Sequence, residues 1–243
     1  MSVRAVTFDF WGTLFRDVNA EARHQLRVQA LAAATGSSMV DAAHAFRAVN
    51  AEFFRSHVNE QKTLSPADAV RIAAHELGVH LREEAEYRLT RTFAMAILRH
   101  PPEPVPGALE AVAAAAQHVP VGVISDSGMS PGVLLRRVLG QNGFMEHFWV
   151  LAFSDEVGVA KPQRAMFEVA ARGMAVMPSE LLHIGDLEPT DIAGAQAMGA
   201  QAALFCGVND RFRASTRAQY VYDAWQQFVQ HAPELLRQAA PVS

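Results

Sequence analysis

Hydrophobic positions along the chain fall into two kinds of segment. Continuous apolar stretches rich in Val, Ile, Leu and Phe occupy residues 3–10, 119–125, 148–154, 181–185 and 201–205, with a weaker one at 219–222. Short runs without polar alternation predict parallel strands covered on both faces. Between the later runs, residues 107–117, 131–139, 163–173 and 189–198 carry helical patterns at βαβ spacing. From about residue 104 onward the chain therefore predicts a doubly wound α/β layer.

Residues 16–103 follow a different period. Helical patterns run over 21–34, ending at Gly36, then over 38–57, over a segment opened by Ser65-Pro66 and closed at Gly78, and over 81–98. Ser followed by Pro is an N-cap and first-turn signal, and the cluster from His100 to Gly107, with four prolines, breaks the last helix. An all-helical block between the first and second strands of a parallel sheet predicts an inserted domain. The expected division is a core of residues 1–15 and 104–243, with a helical insertion at 16–103.

Composition narrows the function classes. Half of the 243 residues are hydrophobic and 19% are charged, enough to fill a core. Lys+Arg 21 against Asp+Glu 25 leaves a formal charge of −4, which argues against a nucleic-acid partner. The single Cys206 forms no intramolecular disulfide, and no Cys/His spacing matches a structural zinc site. Asp9 interrupts the stretch a signal peptide would need, and no apolar run is long enough to span a membrane. A cytoplasmic protein without membrane partners is the expectation; oligomeric state is not legible.

Ligands in open α/β sheets bind beyond the carboxyl ends of the strands. Four such ends carry polar groups: Asp9-Phe10-Trp11-Gly12-Thr13-Leu14, Ser125-Asp126-Ser127-Gly128, Lys161-Pro162 after the third strand, and Gly185-Asp186 with Asp191. Read singly, each has an ordinary explanation. Asp9 and Asp191 can cap turns or helices, Lys161 can be a solvated surface lysine, and Ser125 a plain strand-end hydroxyl. His183 within the fourth strand reads as a satisfied core histidine, Cys206 as a small buried residue, and Glu188 as a loop carboxylate.

Taken together, in this order, the four motifs resemble those of the haloacid dehalogenase superfamily of hydrolases. That resemblance implies a Rossmann-like core with a helical cap of the first type. It also implies Asp9 as nucleophile, Lys161 and Ser125 as catalytic and phosphoryl-binding groups, and Mg²⁺ held by Asp9, the Trp11 carbonyl, Asp186 and Asp191. Asp191 would act from behind the direct ligands, and the Ser127-Gly128 turn would aim backbone donors. The implied substrate is a small phosphorylated molecule, attacked to form an aspartyl phosphate. A carboxylate nucleophile approaching a dianion needs cations nearby, which Lys161 and Mg²⁺ would supply.

Two departures qualify that reading. Most phosphatases of the superfamily carry an Asp two residues after the nucleophile as general acid and base; Trp11 stands there, and an indole exchanges no proton at neutral pH. The implication is a preference for good leaving groups, or a proton supplied by the substrate or cap. Asp126 replaces a frequent Asn and would repel phosphate unless paired or turned away. Arg16, Arg23, Arg27, His57 and Lys62 are candidates for a distal anion of the substrate, Arg16 foremost. The alternatives are a 2-haloacid dehalogenase, which also carries an aromatic after the nucleophile and needs no metal, and a non-catalytic relative that binds a phosphate-containing ligand.

Overall fold

The structure, a computed structural model, describes residues 2–56 and 60–237. A six-stranded sheet runs in the order β5 (Phe148–Phe153), β4 (Val121–Ser125), β1 (Ala5–Phe8), β6 (Leu181–Gly185), β7 (Gln201–Phe205) and β8 (Tyr220–Tyr222). Every pairing in it is parallel. Each residue of β1, β4 and β6 is buried, the burial that unalternated apolar runs predict.

Helices cover both faces of the sheet. Ala108 and Val112 of α5 (Ala108–Ala116), Leu135 of α6 (Gly132–Gln141) and Trp225 and Phe228 of α10 (Trp225–Leu235) share one apolar cluster with Val6, Phe8 and Val123. On the other face, Met166 and Phe167 of α8 (Arg164–Gly173) and Ala195 of α9 (Ala193–Ala197) pack with Ala5, Ile124 and Leu204. From β1 the chain builds outward through β4 to β5, then crosses back to β6 on the other side of β1, so the direction of winding switches beside β1. The ends of β1, β4 and β6 therefore face one crevice.

Between β1 and β4 the chain makes four helices: α1 (Ala20–Thr35), α2 (Met39–Arg55), α3 (Pro66–Glu76) and α4 (Glu83–Arg99). They have an apolar cluster of their own, with Val28, Leu31, Phe46, Val49, Val70 and Phe93 at its centre. Gly36 ends α1 in the left-handed conformation, and Ser65 caps α3 through a reciprocal bond pair with Asp68.

Three features differ from the sequence expectation. The two crossings between the sheet and the helices pair as a short antiparallel ladder, β2 (Phe15–Arg16) with β3 (Glu103–Pro104). Two-residue strands carry no periodicity to detect. The stretch expected as a helix over 189–198 starts as a π-helical turn, Glu188–Ile192, because the Asp191 carboxylate turns inward and accepts the Leu187 N–H at 2.9 Å. Helix α10 has no counterpart in the sequence pattern: its N-cap is Ala224, it contains Pro233, and no capping signal announces it. No described helix is long and apolar enough to cross a membrane.

Candidate active site

Asp9 is the first residue after β1, and its amide continues the ladder by donating to the Ile184 carbonyl at 2.8 Å. The strand pairing thus sets the carboxylate at the lip of the sheet. The chain turns sharply at Gly12, whose φ is +70°. A Cβ there would stand 2.6 Å from an Asp186 oxygen, so only glycine lets the two loops approach. Gly185 has a similar role, since a Cβ on it would meet the Asp191 carboxyl carbon at 2.2 Å.

Lys161 joins these strand ends. Its Nζ donates to Asp9 Oδ1 and to Asp191 Oδ1, each at 2.6 Å, and it is 3% exposed. Asp191 is fully buried and has no idle oxygen: Oδ1 also meets His183 Nε2 at 3.1 Å, and Oδ2 accepts from Leu187 N–H. His183 in turn has Nδ1 2.9 Å from the Thr7 hydroxyl. With Nε2 carrying the proton, Thr7 donates to Nδ1 and His183 to Asp191. A continuous buried chain of polar groups then runs from Thr7 through His183, Asp191 and Lys161 to Asp9.

The electrostatics are lopsided. Asp9, Asp126, Asp186 and Asp191 all act on the one Lys161 ammonium. Burial raises Asp9 to about 6 against the pull of Lys161. Burial, together with Asp191 and Asp9, raises Asp186 to about 7. Asp191 also loses solvation, but Lys161 and His183 more than offset that and hold it well below the usual carboxylate range. Burial disfavours the Lys161 ammonium, but Asp191 and Asp9 outweigh that and raise its pKa. Oxygens of Asp9, Asp186 and Asp191 lie within 4.8 Å of one another, an all-oxygen donor set that fits a hard divalent ion such as Mg²⁺.

A cavity of about 340 Å³ opens on this cluster. Asp9, Trp11, Asp126, Lys161 and Asp186 line it. Asp126 Oδ1 accepts the Lys161 N–H at 2.9 Å, so its charge is tied to the backbone of the lysine, and burial raises its pKa to about 6. Ser125 ends β4 fully buried, with its hydroxyl 3.5 Å from the Asp126 carbonyl. It is Ser127 that reaches the cavity wall. Arg16 is not brought to the cavity: it lies on β2, half-exposed, paired with Glu103 at 2.7 Å. Arg23 and Arg27 are buried on α1, Lys62 is exposed, and His57 lies outside the described residues. Glu188 accepts from the Thr216 hydroxyl at 2.6 Å rather than facing the cluster. Cys206 is buried.

Several contributors have no sequence motif. Asn209 donates to Asp186 Oδ2 at 3.1 Å from the loop after β7. Trp225 of α10 donates through Nε1 to the Thr13 carbonyl at 3.2 Å and stacks on Phe205 with centroids 4.3 Å apart. It thereby braces the loop that follows Asp9. The Thr13 hydroxyl is buried in that loop with no hydrogen-bond partner among the described residues. Phe53 of α2 and Leu187 complete the cavity wall. The Arg23 guanidinium lies 5.7 Å above the Trp11 ring, pairs with Asp17 and donates to the His100 carbonyl at 2.8 Å, so it ties Trp11 to both crossings.

Comparison with known proteins identifies the family and the fold. Over 142 residues the chain is 30% identical to an (S)-2-haloacid dehalogenase of a Pseudomonas species, covering 58% of this chain and 57% of that protein. Over 93 residues it is 36% identical to a pyrimidine 5′-nucleotidase of Escherichia coli, covering 37% and 40%. The chain thus spans about half the length of these curated relatives. The crystal structure of a 2-haloacid dehalogenase from Pseudomonas syringae superposes with a TM-score of 0.73 at 21% identity, covering 96% of this chain and 98% of that one. At that identity the likeness speaks for the fold. The family model for haloacid dehalogenase-like hydrolases matches residues 3–199, and the chain belongs to that family of hydrolases.

Proposed function

We propose that the chain is a Mg²⁺-dependent phosphatase acting on a small phosphorylated molecule, in which residues 16–103 form a cap over a core of residues 1–15 and 104–243. The observation that carries the proposal is the set of four carboxylates sharing one ammonium: it is short of positive charge and rich in hard oxygen donors. A dehalogenase handling a monoanionic acid has no need of that donor set; a phosphatase does.

In this reading Asp9, Asp186 and the Trp11 carbonyl would hold Mg²⁺, with Asp191 behind them. The ion, when bound, supplies the charge that lets an anionic carboxylate meet an anionic phosphate. Asp9 attacks phosphorus, its carboxyl oxygen forming the new P–O bond as the ester P–O bond breaks and its electron pair leaves with the alcohol oxygen. Water then attacks the aspartyl phosphate, breaking its P–O bond and restoring the Asp9 carboxylate; one proton of that water stays on the released phosphate and the other is taken up by the departed alcohol oxygen. Lys161 steadies the Asp9 carboxylate and neutralises phosphoryl charge, while Ser127 and the backbone after β4 orient the phosphoryl oxygens and the buried Ser125 anchors the start of that turn. Asp126 keeps Lys161 in place through its main chain. We place the enzyme in the cytoplasm, with no nucleic-acid or membrane partner.

Release of phosphate from 4-nitrophenyl phosphate should depend on Mg²⁺, vanish with EDTA, and fall at least about 10³-fold in Asp9→Asn. Binding of phosphate without turnover would instead identify a non-catalytic relative. A second reading, the 2-haloacid dehalogenase, is favoured by the aromatic Trp11 after the nucleophile and by the dehalogenase relative. Halide release from a 2-haloacid in EDTA, with no phosphate-ester turnover, would establish it.

A further inference from the structure

Resting on the phosphatase reading, we infer that the substrate is an aryl phosphate monoester whose leaving group bears no second negative charge. Beyond the carboxylate cluster, the cavity is walled by Trp11, Phe53 and Leu187, with Ser127 and Thr190 as its neutral polar groups. Phe53 comes from the helical segment and seats against the loop after β4. A Cβ on Gly128 would stand 2.6 Å from its ring, so the ring occupies the space that the glycine leaves open. Trp11 faces the same cavity from the nucleophile loop, held by Arg23 on its ring and by an edge contact with Phe10, centroids 4.9 Å apart. Two aromatic rings, one from each side, bound the space that a leaving group would enter.

Charge narrows the class further. Among the described residues that line the cavity, Lys161 is the one Lys or Arg, and it is already bonded to Asp9 and Asp191. A distal carboxylate or second phosphate on the substrate would be desolvated against rings and beside Asp126 and Asp186, with no cation among those lining residues to meet it. Proton supply points the same way. With an indole at Trp11, the residue two places after the nucleophile cannot protonate a departing alkoxide, whereas a phenolate leaves unassisted. Apolar walls, a described lining with no second Lys or Arg, and an indole in place of a proton donor converge on a flat, uncharged, weakly basic leaving group.

The test measures kcat/KM of the Mg²⁺-loaded full chain for phenyl phosphate, ring-nitrated phenyl phosphates, phosphoglycolate and phosphoserine. Phenyl phosphate should exceed the two carboxylate-bearing esters by at least about 100-fold, and rates should climb as the leaving phenol becomes more acidic. Phe53→Ala should lower kcat/KM for phenyl phosphate about 10-fold, chiefly through KM, and Phe53→Leu should restore most of it. Phe53→Arg should shift the ratio toward phosphoglycolate by about 10-fold, with a thermal melt confirming its fold. Equal rates on phosphoglycolate and phenyl phosphate, no dependence on leaving-group acidity, or an unchanged KM in Phe53→Ala would overturn this inference and leave the phosphatase reading standing. No phosphate release from any ester would overturn both.

Discussion

The carboxyl edge of the sheet and the helical segment opposite it treat buried charge in contrary ways. At the edge, Asp191 meets Lys161, His183 and the Leu187 amide, and Lys161 meets two carboxylates, so both stay charged inside the protein. On the helical side, Arg27 is buried with Nε bonded to the Phe93 carbonyl and Nη2 without a partner among the described residues; burial and Arg23 lower its pKa to about 10. What that segment offers the cavity is a ring, Phe53. The difference separates two tasks: strand ends fixed by a ladder concentrate charge at one point, while helices with their own apolar core supply shape.

The comparison breaks most visibly at Asp191. Asp191→Asn leaves Lys161 with a single carboxylate partner and should cost roughly 3–5 kcal/mol in urea unfolding, as removal of one partner from a buried pair does. A loss below about 1 kcal/mol would mean that the polar chain is not held together there.

Acidity sharpens it next. Asp9 and Asp186 bind protons more tightly in the folded protein than in the unfolded chain, where carboxyls titrate near 4. Their stabilising contribution is therefore complete below about pH 4 and is lost as pH rises through 6 to 7. Asp191, shifted down, acts in the opposite sense and only in acid, below its unfolded value. Metal-free protein should melt several degrees lower at pH 8 than at pH 5, Mg²⁺ should recover the difference, and Asp186→Asn should flatten the profile. A melting temperature that climbs over that range without metal would contradict the charge imbalance at the site.

Smaller effects test the supports. Asn209→Ala removes the donor to Asp186 and should weaken Mg²⁺ binding about 10-fold by calorimetry, as loss of a group that orients a metal ligand does. Trp225→Phe keeps the stacking on Phe205 but deletes the bond to the Thr13 carbonyl. It should cost about 1 kcal/mol, read from chemical denaturation. No change would show that α10 covers the sheet without bracing the loop after Asp9.

Much of the site was legible because each motif is local. Asp9, Ser125, Lys161 and Gly185-Asp186 each follow an apolar run, and a parallel sheet sends the carboxyl ends of such runs to one edge. The π-helical turn at Glu188–Ile192 was hidden because it depends on where the Asp191 side chain bonds rather than on the period of the sequence. Arg16, a sequence candidate for the substrate's distal anion, is instead held beside Glu103 by the β2–β3 ladder.

The chain alone determined its alternation of buried strands and helices, the helical block after the first strand, and the identity of the acidic and basic groups at the strand ends. Those are properties of neighbours in sequence, set by hydrophobic period and turn chemistry. Tertiary structure decided which of those groups share a proton or a hydrogen bond, that Phe53 and Trp11 wall the same cavity, and that Asn209 and Trp225 support loops far from them in the chain. Such pairings turn on distances of a few ångström between residues up to 212 positions apart, which no local pattern encodes.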